Sequence, residues 1–290
     1  MTLVSPCCRA ALTGDGLKCS ACGTAYVAQD GIPVLIDPKF RASPLFEEND
    51  RRYRDGKVPW TYDRTAPEVQ KYEMLIDAVS AALPSRAAAI GDVGCSLGVL
   101  TEKLCELSDD VAAVDLSPSA VARVKQRLGA KALLAAASAT ALPWPDASLD
   151  VVLMSDGLVS WKLDEAMKLA ALGEAKRVLK PGGRALFMDY LTPRRHHELL
   201  DPVRAVFSVE RVVYLGDRLW YVTESALRAF KGTAPYDFFA ESLKWASAMK
   251  AVSSLAGPAG SKHLCAVAKK PLRVEQEHTP RSVLDGDAAH

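Results

Sequence analysis

The chain has 290 residues, of which 49% are hydrophobic, and its 36 basic and 35 acidic side chains leave a formal net charge of +1. This length and composition suit one large or two smaller globular domains with a buried core. The charge balance excludes a global field that would draw the chain onto nucleic acid or an anionic membrane. With no leader-like start and no run of eighteen apolar residues, we expect a cytoplasmic protein without a membrane partner.

The first 37 residues combine short strands and turns with four of the seven cysteines. In a reducing compartment, crowded cysteines favour a metal site over disulfides. Cys19 and Cys22 have the spacing of a zinc knuckle, whereas the adjacent Cys7 and Cys8 can both bind one ion only if the backbone turns sharply between them. We expect a small β domain over residues 1–37, held by a structural zinc ion through all four thiolates or, alternatively, retaining its shape without metal.

Residues 38–67 are rich in charge and chain breakers and show no periodicity, which predicts a linker. From residue 68 to about 270, helix and strand patterns alternate. Apolar strands in this alternation predict an α/β fold, with a Rossmann-like, mainly parallel sheet covered by helices on both faces.

The alternation is interrupted at residues 191–235, which are predicted to form a lid over the substrate. A last helix through Phe239, Leu243 and Ala246 and a last strand follow this insertion. Residues 271–290 have little apolar patterning and are predicted to be a mobile tail.

The stretch AIGDVGCSLGVL, residues 89–100, places a glycine-rich turn between a buried strand and a helix. Glycine lets a ligand approach the backbone, and a helix start offers free N–H groups. A dinucleotide site is disfavoured because Gly91, Gly94 and Gly98 are three and four residues apart, and a phosphate loop is disfavoured because the turn has no lysine. What remains is an acid, Asp92, ahead of a G-x-x-x-G turn.

At these residues the sequence resembles the class I S-adenosylmethionine-dependent methyltransferases of the type 11 or UbiE-like group, whose first motif has the form acid-x-G-x-x-x-G. Three further segments lie where the family places its motifs: VDLSP, ASATALPWPDASLDVVLMSDGL and RVLKPGGRALFMDY, at residues 114–118, 137–158 and 177–190. The resemblance covers about residues 68–270 and implies a seven-stranded sheet.

The resemblance also implies which residues bind S-adenosylmethionine. Asp92 would receive the ammonium of its methionine end, and Asp115 would accept its ribose hydroxyls. Ser138 and Ala139 would lie at the adenine edge, with Ser138 where the family usually has Asp. The implied cofactor-binding residues are Asp92, Gly94, Cys95, Ser96, Gly98, Asp115, Leu116, Ser138, Ala139, Asp156 and Gly157.

The amino-terminal segment is similar to the zinc-ribbon domains that precede some methyltransferase domains. Their Y-x-x-x-D-G-I-P-V-L ending is matched by Tyr26 and by residues 30–35. This similarity implies a zinc-ribbon domain with four metal ligands, Cys7, Cys8, Cys19 and Cys22.

Three residues are candidates for orienting or deprotonating a methyl acceptor: His196, Tyr190 and Asp156. A solvated basic stretch is the alternative for His196, and a core position is the alternative for Tyr190. Aromatic residues that can form pocket walls, or simply pack, are Trp161, Trp220 and Tyr221.

The sequence therefore predicts transfer of a methyl group to a small molecule. One alternative is an RNA base methyltransferase acting on guanine in ribosomal RNA, which the absence of a basic face disfavours. The other is a non-catalytic interaction protein, with a zinc ribbon on a methyltransferase scaffold that has lost its cofactor.

Overall fold

Short antiparallel strands form the amino-terminal segment. The structure, a computed structural model, describes residues 1–14, 17–56, 65–159 and 163–271. Asp30 and Gly31 connect two strands with left-handed φ values of 53° and 70°, as a tight hairpin requires. The strands of this segment are β1 (Leu12–Thr13), β2 (Lys18–Cys19), β3 (Val27–Gln29) and β4 (Ile32–Val34).

Helices, rather than an irregular linker, follow the hairpin. They are α1 (Pro38–Arg41), α2 (Pro44–Arg54) and α3 (Ala66–Ala82). The predicted linker over residues 38–67 contains helix α2, whose amino end is capped by the Ser43 hydroxyl. Helix α2 shows no apolar periodicity because one of its three buried residues, Asp50, is a carboxylate, and only Phe46 and Tyr53 are apolar.

Strands and helices then alternate as expected for an α/β fold. The elements are β5 (Ala89–Val93), α4 (Val99–Leu107), β6 (Asp110–Asp115), α5 (Pro118–Leu128), β7 (Ala132–Ala136), β8 (Leu149–Ser155), α6 (Glu165–Val178) and β9 (Leu179–Tyr190).

The segment after β9 differs from the predicted lid followed by one helix. The predicted insertion contains a strand of the sheet, and the helix predicted through Phe239, Leu243 and Ala246 is two helices that meet at Ser242. The elements are α7 (His197–Val206), β10 (Ser208–Tyr214), α8 (Arg218–Leu227), α9 (Ala234–Glu241), α10 (Leu243–Ser254) and β11 (His263–Lys269). We call α8, α9 and α10 the cap.

One sheet of nine strands connects these elements, in the order β10-β11-β9-β8-β5-β6-β7-β4-β3. Along the sheet, the neighbouring strands from β9 to β4 pair in parallel. Strand β11 pairs antiparallel with β9 on one side and with β10 on the other. Seven of the nine strands lie within residues 68–270, and β3 and β4 extend the sheet beyond the predicted seven. Helices α3 and α4 cover one face, around Ile90 and Leu153, and α6 and α7 cover the other, around Val152 and Phe187.

The amino-terminal segment is thus joined to the large sheet. Val34 of β4 pairs in parallel with Ala136 of β7, and the Leu35 N–H donates to the Ala136 carbonyl over 2.8 Å. Among the described residues, none of the helices has the length and apolar character needed to cross a membrane. The predicted tail lies outside the described residues from position 272 onward.

Candidate functional site

The three glycines at the end of β5 and in the turn after it have different surroundings. A side chain at Gly91 would lie 2.7 Å from the Leu149 side chain, and one at Gly98, where φ is +75°, would lie 2.9 Å from Val124. Gly94 has φ +83°, and none of the described residues has an atom within 4 Å of the position a side chain would take. Gly91 and Gly98 therefore allow neighbouring side chains to pack closely against the backbone. Gly94 instead leaves open space above the backbone of the turn that leads into α4.

Asp92 lies near the end of β5, just before this turn, as a buried carboxyl. It is 2% exposed, and its Oδ2 accepts a hydrogen bond from the Thr101 hydroxyl over 2.7 Å. Burial raises its pKa to about 6, although the Thr101 bond opposes that shift. A cationic group at this position would restore the carboxylate and take the place of the water that burial removes.

Asp115 ends the neighbouring strand β6. Its Oδ2 accepts the Ser96 N–H over 3.0 Å, and its Oδ1 accepts the Ser117 N–H over 2.9 Å. Burial raises its pKa despite these two bonds. Each oxygen retains a lone pair for a further donor, so the carboxylate can hold the turn and bind hydroxyl groups together.

Helix α2 covers this turn, which the sequence did not indicate. Its Tyr53 hydroxyl lies 2.8 Å from the Ser96 hydroxyl. Its buried Asp50 accepts hydrogen bonds from the Ser117 hydroxyl over 2.6 Å and from the Ser119 N–H over 2.9 Å, at the start of α5. The helix is therefore anchored beside Asp115 by a carboxylate that caps a second helix.

Ser138 and Ala139 follow β7, the next strand in the sheet. The preceding Ala137 donates its N–H to the Asp115 carbonyl over 2.9 Å, which holds this segment beside β6. The Ser138 hydroxyl lies 2.8 Å from the Thr140 hydroxyl. Leu116 and Ala139 are half-buried, so the predicted adenine-side residues border one another at adjacent strand ends.

Asp156 and Gly157 follow β8 on the other side of β5. Asp156 has φ +56°, and its Oδ2 accepts a hydrogen bond from the Lys71 ammonium over 2.7 Å. Lys71 is buried and also donates to Glu68 over 2.5 Å. Loss of water raises the pKa of Asp156, but the charge of Lys71 outweighs this and holds the pKa below its usual range.

Tyr190, at the end of β9, is beside a histidine that sequence reasoning did not select. His263 begins β11 and pairs with Tyr190 across the strands, with ring centroids 5.0 Å apart. The cap contributes Tyr221, whose ring is 4.9 Å from the ring of Tyr190. The Lys262 ammonium donates to the Tyr190 hydroxyl over 2.7 Å. We call Glu68, Lys71, Asp156, Tyr190, Asp217, Tyr221, Lys262 and His263 the acceptor-side cluster.

His196, a candidate base from the sequence, lies elsewhere. Its ring packs against Tyr214 with centroids 5.6 Å apart, and burial lowers its pKa. Its Nε2 is buried without a hydrogen-bond partner in the described part of the chain. No contact with Tyr190 or Asp156 is present among these residues, so the structure separates His196 from the other two candidates.

The candidate aromatic walls have different positions. Tyr221 belongs to the acceptor-side cluster, whereas Trp220 is buried within the cap and stacks on Phe239 at 5.6 Å. Trp161 lies outside the described residues.

The four amino-terminal cysteines converge. Their sulfur atoms all lie within 4.8 Å of one another, and Cys7 Sγ is 3.5 Å from Cys22 Sγ. A turn from Ser5 to Arg9, closed by the Arg9 N–H donating to the Ser5 carbonyl over 2.7 Å, brings the adjacent cysteines together. The Ser5 hydroxyl donates to Cys19 Sγ over 3.2 Å.

Comparison with known proteins identifies the family. Residues 91–187 match the family model for the methyltransferase domain. The cypemycin N-terminal methyltransferase of Streptomyces sp is 31% identical over 211 residues, which are 65% of this chain and 82% of that protein. The chain belongs to the class I methyltransferase family. Members of this family take their methyl group from S-adenosylmethionine.

Two further methyltransferases are similar to this chain, one in sequence and one in fold. The ubiquinone/menaquinone biosynthesis C-methyltransferase UbiE of Shewanella frigidimarina is 29% identical over 161 residues, 53% of this chain. This chain spans only 58% of the length of that relative. The fold resembles N-methyltransferase NodS from Bradyrhizobium japonicum, solved with S-adenosyl-L-homocysteine, with a TM-score of 0.54 at 17% identity over 78% of this chain and 98% of that one.

Proposed function

We propose that this methyltransferase transfers a methyl group from S-adenosylmethionine to a small-molecule acceptor. The observation that carries the proposal is the set of groups at three adjacent strand ends: Asp92 beside the open Gly94, then Asp115, then Ser138. A ligand with an ammonium at one end and a ribose beyond it matches these groups in that order.

The proposed cofactor contacts follow from this order. Asp92 receives the ammonium, the N–H groups at the start of α4 receive the carboxylate, and Asp115 accepts the ribose hydroxyls. When bound, S-adenosylmethionine supplies a methyl group on a positively charged sulfur. The other proposed contacts are Cys95, Ser96, Gly98, Leu116, Ser138, Ala139, Asp156 and Gly157.

A small acceptor is favoured over RNA by the local charges. The basic runs around residues 51–54 and 194–195 have acidic partners of their own, because Arg54 pairs with Glu47 and Arg195 pairs with Glu198. These arginines therefore offer little free positive charge to phosphates. The cap also brings Tyr221 against Tyr190, with ring centroids 4.9 Å apart.

We also propose a structural zinc ion at the four cysteines. Zinc with ligand distances of about 2.3 Å in a tetrahedron needs sulfur atoms about 3.8 Å apart. The four sulfurs lie within 4.8 Å of one another, so small side-chain rotations satisfy this geometry. Four thiolates would fill the coordination sphere and leave no position for a substrate, which gives the ion a structural role.

A cytoplasmic location belongs to the same proposal. Besides the four-cysteine cluster, Cys95, Cys105 and Cys265 are free thiols, a state that a reducing compartment preserves.

Calorimetric binding of S-adenosylmethionine tests the function. We expect a micromolar dissociation constant that Gly94→Ala weakens at least about tenfold, because its new methyl group occupies the open space above the turn. Gly173→Ala, in the exposed part of α6 with nothing within 4 Å, is the matched control and should bind normally.

The outcomes separate the three functions. Absence of binding at millimolar ligand would contradict both methyltransferase assignments and favour the scaffold protein. Salt-dependent binding of ribosomal RNA fragments, with methylation of guanine, would favour the RNA enzyme instead.

A further inference from the structure

His263 has one ring nitrogen anchored by a carboxylate. Its Nδ1 lies 2.6 Å from Asp217 Oδ2, and Asp217 Oδ1 accepts the backbone N–H groups of Lys262 and His263 over 2.8 and 3.2 Å. Burial raises the pKa of Asp217, but these bonds and the nearby histidine outweigh it and hold the pKa below its usual range. An ionised carboxylate can only accept a hydrogen bond, so Nδ1 carries the proton and Nε2 of the neutral ring is bare.

The His263 residue as a whole is buried, with 1% of its surface exposed. Within the part of the chain that the structure describes, Nε2 makes no hydrogen bond, and its nearest acidic oxygen is Glu68 Oε1 at 3.8 Å. That distance is too long for a hydrogen bond. The ring borders Tyr190, which is 41% exposed, so His263 lies next to the side of the cluster that a ligand can reach.

The two ring nitrogens of His263 face different carboxylates, Nδ1 facing Asp217 and Nε2 facing Glu68. A positive charge on His263 would lie between Asp217 and Glu68, and Lys71 and the Tyr221 hydroxyl keep Glu68 in place over 2.5 and 3.4 Å. The other charged or titratable groups of this surface are Asp156, Asp189, Tyr190 and Lys262.

We propose that His263 accepts the proton that the methyl acceptor releases, with Asp217 as its positioning residue. The acceptor is then a molecule whose reacting atom carries a proton, namely a hydroxyl or an amine. This inference rests on the proposed function, because it concerns the acceptor side of the same site.

The proposed step balances as follows. The acceptor O–H or N–H bond breaks, and its proton forms a bond to His263 Nε2. The electron pair released on the acceptor atom forms the bond to the methyl carbon. The carbon–sulfur bond of the sulfonium donor breaks with its electron pair retained by sulfur, which becomes a neutral thioether. His263 then returns the proton to water.

The first test uses His263→Asn, whose amide can keep the bond to Asp217 but has no group at the position of Nε2. The probes are 1-naphthol as a hydroxyl and benzylamine as an amine, with release of S-adenosylhomocysteine as the readout. We expect methylation of one probe class and a loss of about 100-fold or more in kcat for His263→Asn. The exposed His197→Asn is the control and should retain the wild-type rate.

The second test does not depend on turnover. Nitrogen-15 NMR of histidine-labelled protein at pH 8, with S-adenosylhomocysteine bound and with His263→Asn to assign the signal, reports which ring nitrogen carries the proton. We expect Nδ1 protonated and Nε2 bare in the wild type, with this preference lost in Asp217→Asn.

Three results would overturn the inference while leaving the cofactor site intact. They are a protonated Nε2 at pH 8, a His263→Asn rate within threefold of wild type, and methylation of neither probe by protein that binds S-adenosylhomocysteine. Failure to bind S-adenosylhomocysteine would instead contradict the proposed function itself.

Discussion

Asp115 holds two backbone N–H groups with the same carboxylate that we propose binds the ribose. Its contribution to binding is therefore coupled to the shape of the glycine turn. The carboxylate of Asp92, by contrast, accepts a hydrogen bond from one donor among the described residues, the Thr101 hydroxyl, and its burial makes its ionised form costly until a cation arrives. The two acids of the site thus respond differently to substitution and to pH.

Asp115→Ala should weaken the binding of S-adenosylhomocysteine at least about tenfold and lower the free energy of unfolding by about 1–3 kcal/mol, because two buried N–H groups lose their acceptor. Calorimetry and urea denaturation measure the two effects. Asp109→Ala, an exposed acid near the start of the same strand, is the control. Unchanged affinity in Asp115→Ala would contradict the ribose assignment.

Cofactor affinity should fall below about pH 6, by roughly tenfold per pH unit at first, because Asp92 must be ionised to receive an ammonium. The contribution of Asp92 to the free energy of unfolding of the cofactor-free protein should instead rise as the pH falls. A raised native pKa gives a contribution that is full below the unfolded value near 4 and is lost as pH rises through about 6. Calorimetric titrations from pH 5 to 8 test this, and Asp92→Asn should remove the low-pH fall.

Sequence patterns selected Asp92 and Asp115 as candidate cofactor-binding residues because strand, turn and helix follow one another in the chain. They could not identify His263, since its partner Asp217 is 46 positions away and the two meet through the pairing of β10 with β11. Lys71 was equally hidden, because a lysine on a helix normally lies in water, whereas here Glu68 and Asp156 stabilise its burial.

Among the elements, α2 connects the amino-terminal segment to the cofactor side of the sheet. It is anchored through Asp50 to the start of α5 and reaches the glycine turn through Tyr53. The alternation of strands and helices was predictable from apolar periodicity. This helix was not, because one of its buried contacts is a carboxylate capping another helix.

Asp50→Ala should release α2 from the site, since the serine hydroxyl and N–H groups at the start of α5 lose their acceptor at a cost of about 1–3 kcal/mol. We expect trypsin to cleave after the arginines of α2 at least about tenfold faster than in the wild type. Glu47→Ala, an exposed acid on the same helix, is the control. Equal cleavage rates in the two variants would show that Asp50 does not anchor the helix.

In the molecule as a whole, the cysteine cluster belongs to a segment whose hairpin is hydrogen-bonded into the large sheet. The sequence predicted a separate small domain, because thirty-odd residues with four cysteines resemble an independent unit. The pairing of β4 with β7 could not be foreseen, since it joins strands about a hundred residues apart through a short parallel register.

Purified protein should contain about one zinc ion per chain, and a chelator should lower the midpoint of the main thermal transition by roughly 5 °C. Cys19→Ser should have the same effect and show no further response to the chelator. Cys105→Ser, a half-buried thiol outside the cluster, is the control. Less than a tenth of an equivalent of zinc would count against the metal, and an unchanged main transition would indicate that the segment melts by itself.

The short parallel pairing of β4 with β7, which we call the seam, also affects how the chain folds and how readily it aggregates. A strand near residue 34 can join the sheet only after the chain near residue 136 has formed its own strand, so the seam closes late. Until then β7 is an open edge, with unpaired N–H and carbonyl groups that can pair with a strand of another molecule. The β3–β4 hairpin covers this edge once it has paired with β7. Chains that lose the hairpin should therefore self-associate while refolding.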